Sequence, residues 1–220
     1  MVQDMIKILD QYWYVFLEGL GGTLSLAAIT VFFGMIFGAV LAIIKLSKSK
    51  IVQFISTAYI EIIRGTPLLL QLYFFWLFLP KYLPFEISDW TCIVIALVIN
   101  SSAYVAEIIR AGIQAVDKGQ MEAAKSLGMS DVHMMTRIIF PQAVKNILPA
   151  LGNEFIMMVK ETSLASVFFI NDLMTSYQMI KSATFKPIAP LMITAVIYFI
   201  VTFSLSKVVK AMEGRLSVSD

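Results

Sequence analysis

"GQMEAAKSLGMSD", residues 119–131, decides how this chain is to be read. The stretch is polar, alanine-rich and helix-prone, yet long apolar runs flank it on both sides. Of the 220 residues, 59% are hydrophobic, above the usual share for a soluble domain. Five apolar segments stand out, at about 19–44, 52–79, 91–111, 147–169 and 188–208. Each approaches the ~20 residues that cross a hydrocarbon core. The pattern predicts an all-α membrane protein with about five transmembrane helices, one membrane domain over residues 1–220 and no internal repeat. The polar stretch then falls in a loop of about 112–145, between the third and fourth spans. "KLSKSK", "PKYLPFEISD" and "NDLMTSYQMIKSATFKP" read as the other connections.

Charge placement orients the chain. The net charge of +2 is too small to point to nucleic acid, so its distribution matters more than its sum. One set of flanks holds Lys45, Lys48, Lys50, Arg110, Lys118, Lys125, Arg137, Lys145, Lys207, Lys210 and Arg215. The opposite set holds only Lys7, Lys81, Lys181 and Lys186. The richer set belongs in the cytoplasm. An odd number of spans then puts the N-terminus outside, the C-terminus in the cytoplasm and residues 119–131 on the cytoplasmic side. Asp4, Lys7, Asp10 and Glu18 interrupt the start, which argues against a cleavable signal peptide. The single cysteine, Cys92, excludes an internal disulfide framework and fits a packing role.

Two chemistries compete for the cytoplasmic stretch. Gly119, Lys125 and Ser126 approximate a phosphate loop, but Ala124 replaces its second glycine and a membrane helix precedes it instead of a strand. That match is read as accidental. The other reading is a docking helix. Glu122 through Lys125 favour helix, Gly128 suits a left-handed C-terminal cap, and Ser130 with Asp131 can open the next helix. Pro141 is expected to end that second helix. Side chains as small as Ala123 and Ala124 let a partner approach closely. An interfacial hairpin with no partner is the plainer alternative.

"EAAKSLGMSDVHMMTRIIFP" is similar to the EAA loop of ABC-importer permeases, with Glu122, Ala123, Ala124, Gly128, Ile138 and Pro141 at matching spacing. Phe140 departs from it where that loop has leucine. "YIEIIRGTPLLLQLYFF", "NSSAYVAEIIRAGIQAVDKGQ" and "PALGNEFIMMVKETSLASV" resemble the polar amino acid uptake permeases, so the likeness runs from about the first span to the C-terminal end. It implies a multi-pass subunit of the bacterial cytoplasmic membrane, in contact with membrane lipid. A second permease copy or a related permease would pair with it, a cytoplasmic ABC ATPase dimer would drive it, and an extracytoplasmic solute-binding protein would deliver a polar amino acid. The coupling residues would be Glu122, Ala123, Ala124, Leu127 and Gly128. The permease itself would bind no nucleotide, need no cofactor or metal, and catalyse no covalent step.

An ionisable side chain at mid-bilayer costs roughly 2.5–3.5 kcal/mol on the translocon scale, so each asks for a partner or a purpose. In the fourth span, Glu154, Met157, Met158 and Glu161 share a helical face. Glu154 beside flexible methionines can hold a cationic or amide-bearing solute, and a basic side chain suits it best. An internal ion pair, with Lys160 for example, is the structural alternative. Lys160 and Glu161 read as structural or gating residues. In the third span, Asn100, Tyr104 and Glu107 recur on one face with Ser101 beside them, as solute ligands or as interhelical hydrogen bonds. In the second, Glu61 and Arg64 are expected to pair. Pro67 should bend the helix there, exposing the backbone of Gly65 and Thr66, with Leu68 beside them, to a solute, or else making a plain packing kink. Thr23, Ala27, Thr30, Gly34 and Gly38 form a small-residue stripe suited to close helix packing, with Thr23 and Ser25 as weaker site candidates. The rival functions are an ATP-independent transporter or channel, which commonly shows paired repeats, and a membrane enzyme, for which no catalytic cluster is evident. His133 stands without other metal-binding residues around it.

Overall fold

The computed structural model describes residues 1–45 and 49–217, and it is helical throughout. Lys48, one of the residues expected in the cytoplasm, lies outside the described residues. Helix α1 (Val2–Lys45) is followed by α2 (Lys50–Arg64), α3 (Leu68–Tyr82) and α4 (Asp89–Gln114). The cytoplasmic stretch forms α5 (Lys118–Ser126) and the short α6 (Asp131–Met134), which continues through a π-helical turn (Met135–Ile139) into α7 (Phe140–Glu161). A 3-10 segment (Thr162–Phe168), α8 (Leu173–Thr184) and α9 (Ile188–Ser217) complete the chain. Among the described residues, α1, α4 and α9 are each long and apolar enough to cross a membrane alone. Helices α2 and α3 qualify only as a pair, and the pair is bent by 106°.

The small-residue stripe does what its spacing implies. Thr23, Ala27, Thr30, Gly34 and Gly38 are all buried along α1. A Cβ on Gly34 would sit 2.7 Å from the Ser101 hydroxyl, and one on Gly38 would sit 2.7 Å from Val105. The two helices therefore approach to backbone contact, and larger side chains at these positions would force them apart. Leu26, Val31, Ile93, Leu97, Met158 and Val159 fill the main core around that contact. Helix α1 also begins far earlier than the apolar segment, at Val2. Its first turns pack Ile8 and Phe16 against Leu173, Ile180 and Ile193 of α8 and α9.

The break between α2 and α3 has a specific chemical cause. Pro67 lacks the N–H that would otherwise bond to the Ile63 carbonyl. The Gln71 amide supplies that donor instead, reaching Ile63 O at 2.7 Å and Thr66 Oγ1 at 2.8 Å. Gln71 is buried, so losing this group would leave carbonyls orphaned at about 1–3 kcal/mol. The bend expected at Pro67 is thus a held right-angle turn.

Three expectations change. Pro141 does not end its helix. The π turn before it, closed by Phe140 N–H to Met135 O, opens the backbone enough for the proline to sit in the first turn of α7. The Gln142 amide takes up Ile138 O at 2.9 Å. The stretch after the fourth apolar segment is not a plain connection. It contains α8, whose N-terminus is capped by the buried Asp172 carboxylate accepting from Thr175 N–H at 2.7 Å. Arg64 turns away from Glu61, toward Glu107 at 3.6 Å.

Candidate solute site and coupling corner

Glu154 sits mid-way along α7, half-buried, and accepts a hydrogen bond from the fully buried Ser101 hydroxyl of α4 at 3.1 Å. Gly34 packs behind Ser101, so three helices fix the position of this carboxylate. The next residue along, Asn100, donates to Gln71 Oε1 at 2.9 Å. Gln71 in turn holds the open turn at Thr66. A continuous polar line therefore runs from Glu154 through residues 101 and 100 to the α2–α3 break.

The sequence-derived solute residues separate into two groups along this line. Glu154, Gly65 and Met157 keep an accessible surface, with Met157 46% exposed, while Thr66 in the break and Leu68 at the start of α3 are half-buried. Tyr104 is partly exposed and lies beneath the Arg64 guanidinium, 5.4 Å from its ring centroid. Asn100 and Ser101 are buried and already bonded, so in this structure they hold Gln71 and Glu154 in place. Thr23 is distant in role: its buried hydroxyl accepts the Leu173 N–H at 3.0 Å and anchors α8. The Ser25 hydroxyl returns to Gly21 O of its own helix. Met158 points into the core and leaves Met157 as the methionine on the open face. Lys160 is exposed, and the hydrogen-bond partner of Glu154 is Ser101. Gln71, the residue that ties the break to α4, was not singled out in the sequence. Its signal was a lone amide one turn past the proline in an otherwise apolar run.

The candidate coupling corner is compact. Asp117 Oδ1 accepts from Gly119 N–H at 2.6 Å to start α5. At its other end Gly128 adopts φ +74°, and two bonds close the turn: Gly128 N–H to Lys125 O at 2.9 Å and Met129 N–H to Ala124 O at 3.1 Å. The Ala124 and Lys125 carbonyls of the last turn are thereby satisfied. Ser130 then accepts from His133 N–H to open α6. Glu122, Ala123 and Gly128 are exposed, and Leu127 is 82% exposed at the tip. Ala124 differs from the sequence-based expectation. It is turned inward against Met134, Ile139 and Ala143, so its small size seats α5 on the helix behind it and gives no surface to a partner.

Residues 19–218 match the family described as binding-protein-dependent transport system inner membrane components. This chain belongs to that family. Among relatives of this permease, the arginine transport system permease protein ArtQ of Bacillus subtilis (strain 168) is 41% identical, over 93% of both chains. The putative glutamine transport system permease protein GlnP of Rickettsia bellii (strain RML369-C) is 37% identical across 100% of both. Among solved structures, an amino acid ABC transporter crystallised with histidines is 47% identical. It superposes with a TM-score of 0.91, covering 94% of this permease and 96% of that chain. The permease is thus an inner-membrane transport subunit of an ABC importer and not an enzyme, and ATP hydrolysis resides on a separate subunit.

Proposed function

We propose that the permease carries polar amino acids into the cell, with Glu154 as the main contact of a basic side chain. The observation that carries this reading is the Glu154 carboxylate, fixed by Ser101 yet partly open, at the end of a polar line leading to the α2–α3 break. Met157 would line the solute's apolar stem, and Gly65, Thr66, Leu68 and Tyr104 would border it. The relatives named for arginine and glutamine, and the structure holding histidines, support amino acids as the solute class.

In this reading the whole chain is one permease domain with five spans, α7 being the fifth beside α1, α4, α9 and the α2–α3 pair. Between Lys145 and Lys160 its one ionisable group is Glu154, which turns to Ser101. A second permease, identical or related, closes the open face into a pathway. An external binding protein delivers the solute, and an ATPase dimer docks at the exposed corner of Glu122, Ala123, Leu127 and Gly128. From Asp131 to Glu154 the chain is helical without interruption, so a rod of about 35 Å at 1.5 Å per residue links the end of that corner to the solute contact. Closure of the ATPase dimer on ATP shifts the corner, the rod transmits the shift to Glu154, and the pathway opens outward. Hydrolysis resets it.

Cysteine placed at Lys81, Lys125 or Lys186 tests the orientation, because native Cys92 is buried and silent. A membrane-impermeant thiol reagent on intact cells should label positions 81 and 186 and spare 125. The ion pair between Lys186 and Asp4 already places the N-terminus and the α8–α9 connection together. Labelling at 125 with none at 81 overturns the orientation.

A further inference from the structure

On the seam where α1, α2 and α4 meet, a cavity of about 570 Å³ is lined almost entirely by apolar groups, among them Phe33, Phe37, Val40 and Val98. Its polar edge is formed by Ser102 and the Tyr59 hydroxyl, which donates to Ile99 O at 3.0 Å and is turned toward Ser102. A second concavity of about 360 Å³ lies on the same three helices, and its lining mixes Ala42 and Ile113 with the polar Lys45, Gln53, Thr57, Arg110 and Gln114. The two share no lining residue but lie near one another on these helices. Leu41 lines the first and Ala42 the second, while α2 advances from Tyr59 to Thr57 and α4 from Ser102 to Arg110. From Phe33 in the first to Lys45 in the second, α1 rises about 18 Å at 1.5 Å per residue. One leaflet of a ~30 Å hydrocarbon core is about as deep.

The polar end is electropositive. Lys45 and Arg110 each bond to Glu107 at 2.7 Å, and Arg64 approaches it at 3.6 Å. Three cations therefore share one carboxylate, and the cluster keeps a net positive charge. None of these groups belongs to the polar line of Glu154: Ser102 is turned to Tyr59, whereas its neighbour Ser101 is turned to Glu154.

We propose that this seam binds an anionic phospholipid, with one acyl chain in the apolar groove and the phosphate at Lys45 and Arg110. Charge complementarity selects this occupant. A basic pocket between membrane helices at the headgroup level attracts anionic lipid, whereas a zwitterionic headgroup brings a cation of its own. A second copy of the chain would bring an equally cationic mouth if it met this one across a two-fold axis. The inference goes beyond the transport reading and requires only that the chain be embedded in a bilayer.

The test uses the permease purified with its ATPase subunit and exposed to equal amounts of phosphatidylglycerol and phosphatidylcholine with the same acyl chains. Lipid retention is then read by native mass spectrometry. A cation near an anionic surface is worth on the order of 1 kcal/mol, about fivefold in affinity, so phosphatidylglycerol should be retained at least about fivefold over phosphatidylcholine. Thr57→Glu places a negative charge at the mouth and leaves the Glu107 cluster intact, and it should abolish that preference. Val40→Trp fills the apolar stretch and should lower retention of phosphatidylglycerol by a similar factor. The proposal is overturned by equal retention of the two lipids in the unaltered protein. It is also overturned by a preference that survives both substitutions. Efficient disulfide formation between copies carrying Val40→Cys in native membranes would assign the seam to a second copy and overturn it as well.

Discussion

Gly128→Asp is expected to cut ATP-driven uptake by more than tenfold while the permease still inserts, folds and reaches the membrane in normal amount. Gly128 sits at φ +74°, a backbone conformation that costs most residues about 1–2 kcal/mol, less for Asp and Asn. A Cβ there meets no atom within 4 Å, so the substitution strains the turn slightly and clashes with nothing. What changes is the exposed tip. A carboxylate would stand near Leu127, 82% exposed, and Val132, 71% exposed, the apolar surface proposed to meet the ATPase. Burying an unpaired charge in such an interface costs several kcal/mol, and tenfold in coupling requires only about 1.4 kcal/mol. Gly128→Asn tolerates the same backbone without the charge and should keep most of the uptake. Uptake in vesicles together with ATPase co-purification reads both variants. Normal transport by Gly128→Asp would remove this corner from the coupling path.

Glu154 should give the second large effect. Glu154→Gln preserves the side-chain shape and an oxygen that can still accept from Ser101. It removes only the charge. For a solute with a cationic side chain the loss should be roughly 1.5–3 kcal/mol, the scale of a hydrogen bond to a charged group, or at least tenfold in uptake efficiency. For an uncharged solute, Glu154→Gln should be mild. Glu154→Ala then becomes the damaging change, because it leaves the buried Ser101 hydroxyl without its acceptor. Initial rates of uptake against solute concentration, with the cognate binding protein present, separate the two cases. Full activity in both variants would reduce Glu154 to a helix contact.

Much of this arrangement was legible because its signals are local. The stripe from Thr23 to Gly38 needed only helical spacing, and Pro67 announced its bend by the absence of an N–H. Gly128 marked the end of α5 because a left-handed cap favours glycine. Long-range pairings were not legible. Glu61 and Arg64 suit each other at three residues' separation, yet Arg64 goes to Glu107 on another helix, where Lys45 and Arg110 also converge. Pro141 failed as a stop signal because a π turn upstream absorbed it, and nothing in "MTRII" declares such a turn. Helix α8 was hidden by its polarity: Asp172 before Leu173 is a helix-opening signal, but in a greasy chain a mixed stretch reads as a loop. Among the candidate site residues, the sequence left two roles open for Asn100 and Ser101, solute ligand or interhelical bond. Asn100 and Ser101 are polar and central, but they face protein groups, and whether such a residue faces protein or solute depends on helix rotation.

The central claim is that ATP hydrolysed by another subunit drives solute through this permease by way of the corner after α5 and the α6–α7 rod. It is tested most directly by reconstituting the permease with its ATPase subunits in sealed vesicles that hold the external binding protein on the outward face. Labelled amino acid should accumulate only when ATP, the ATPase and the binding protein are all present, and an imposed proton or sodium gradient should change nothing. Accumulation driven by the ion gradient with the permease alone would contradict the account.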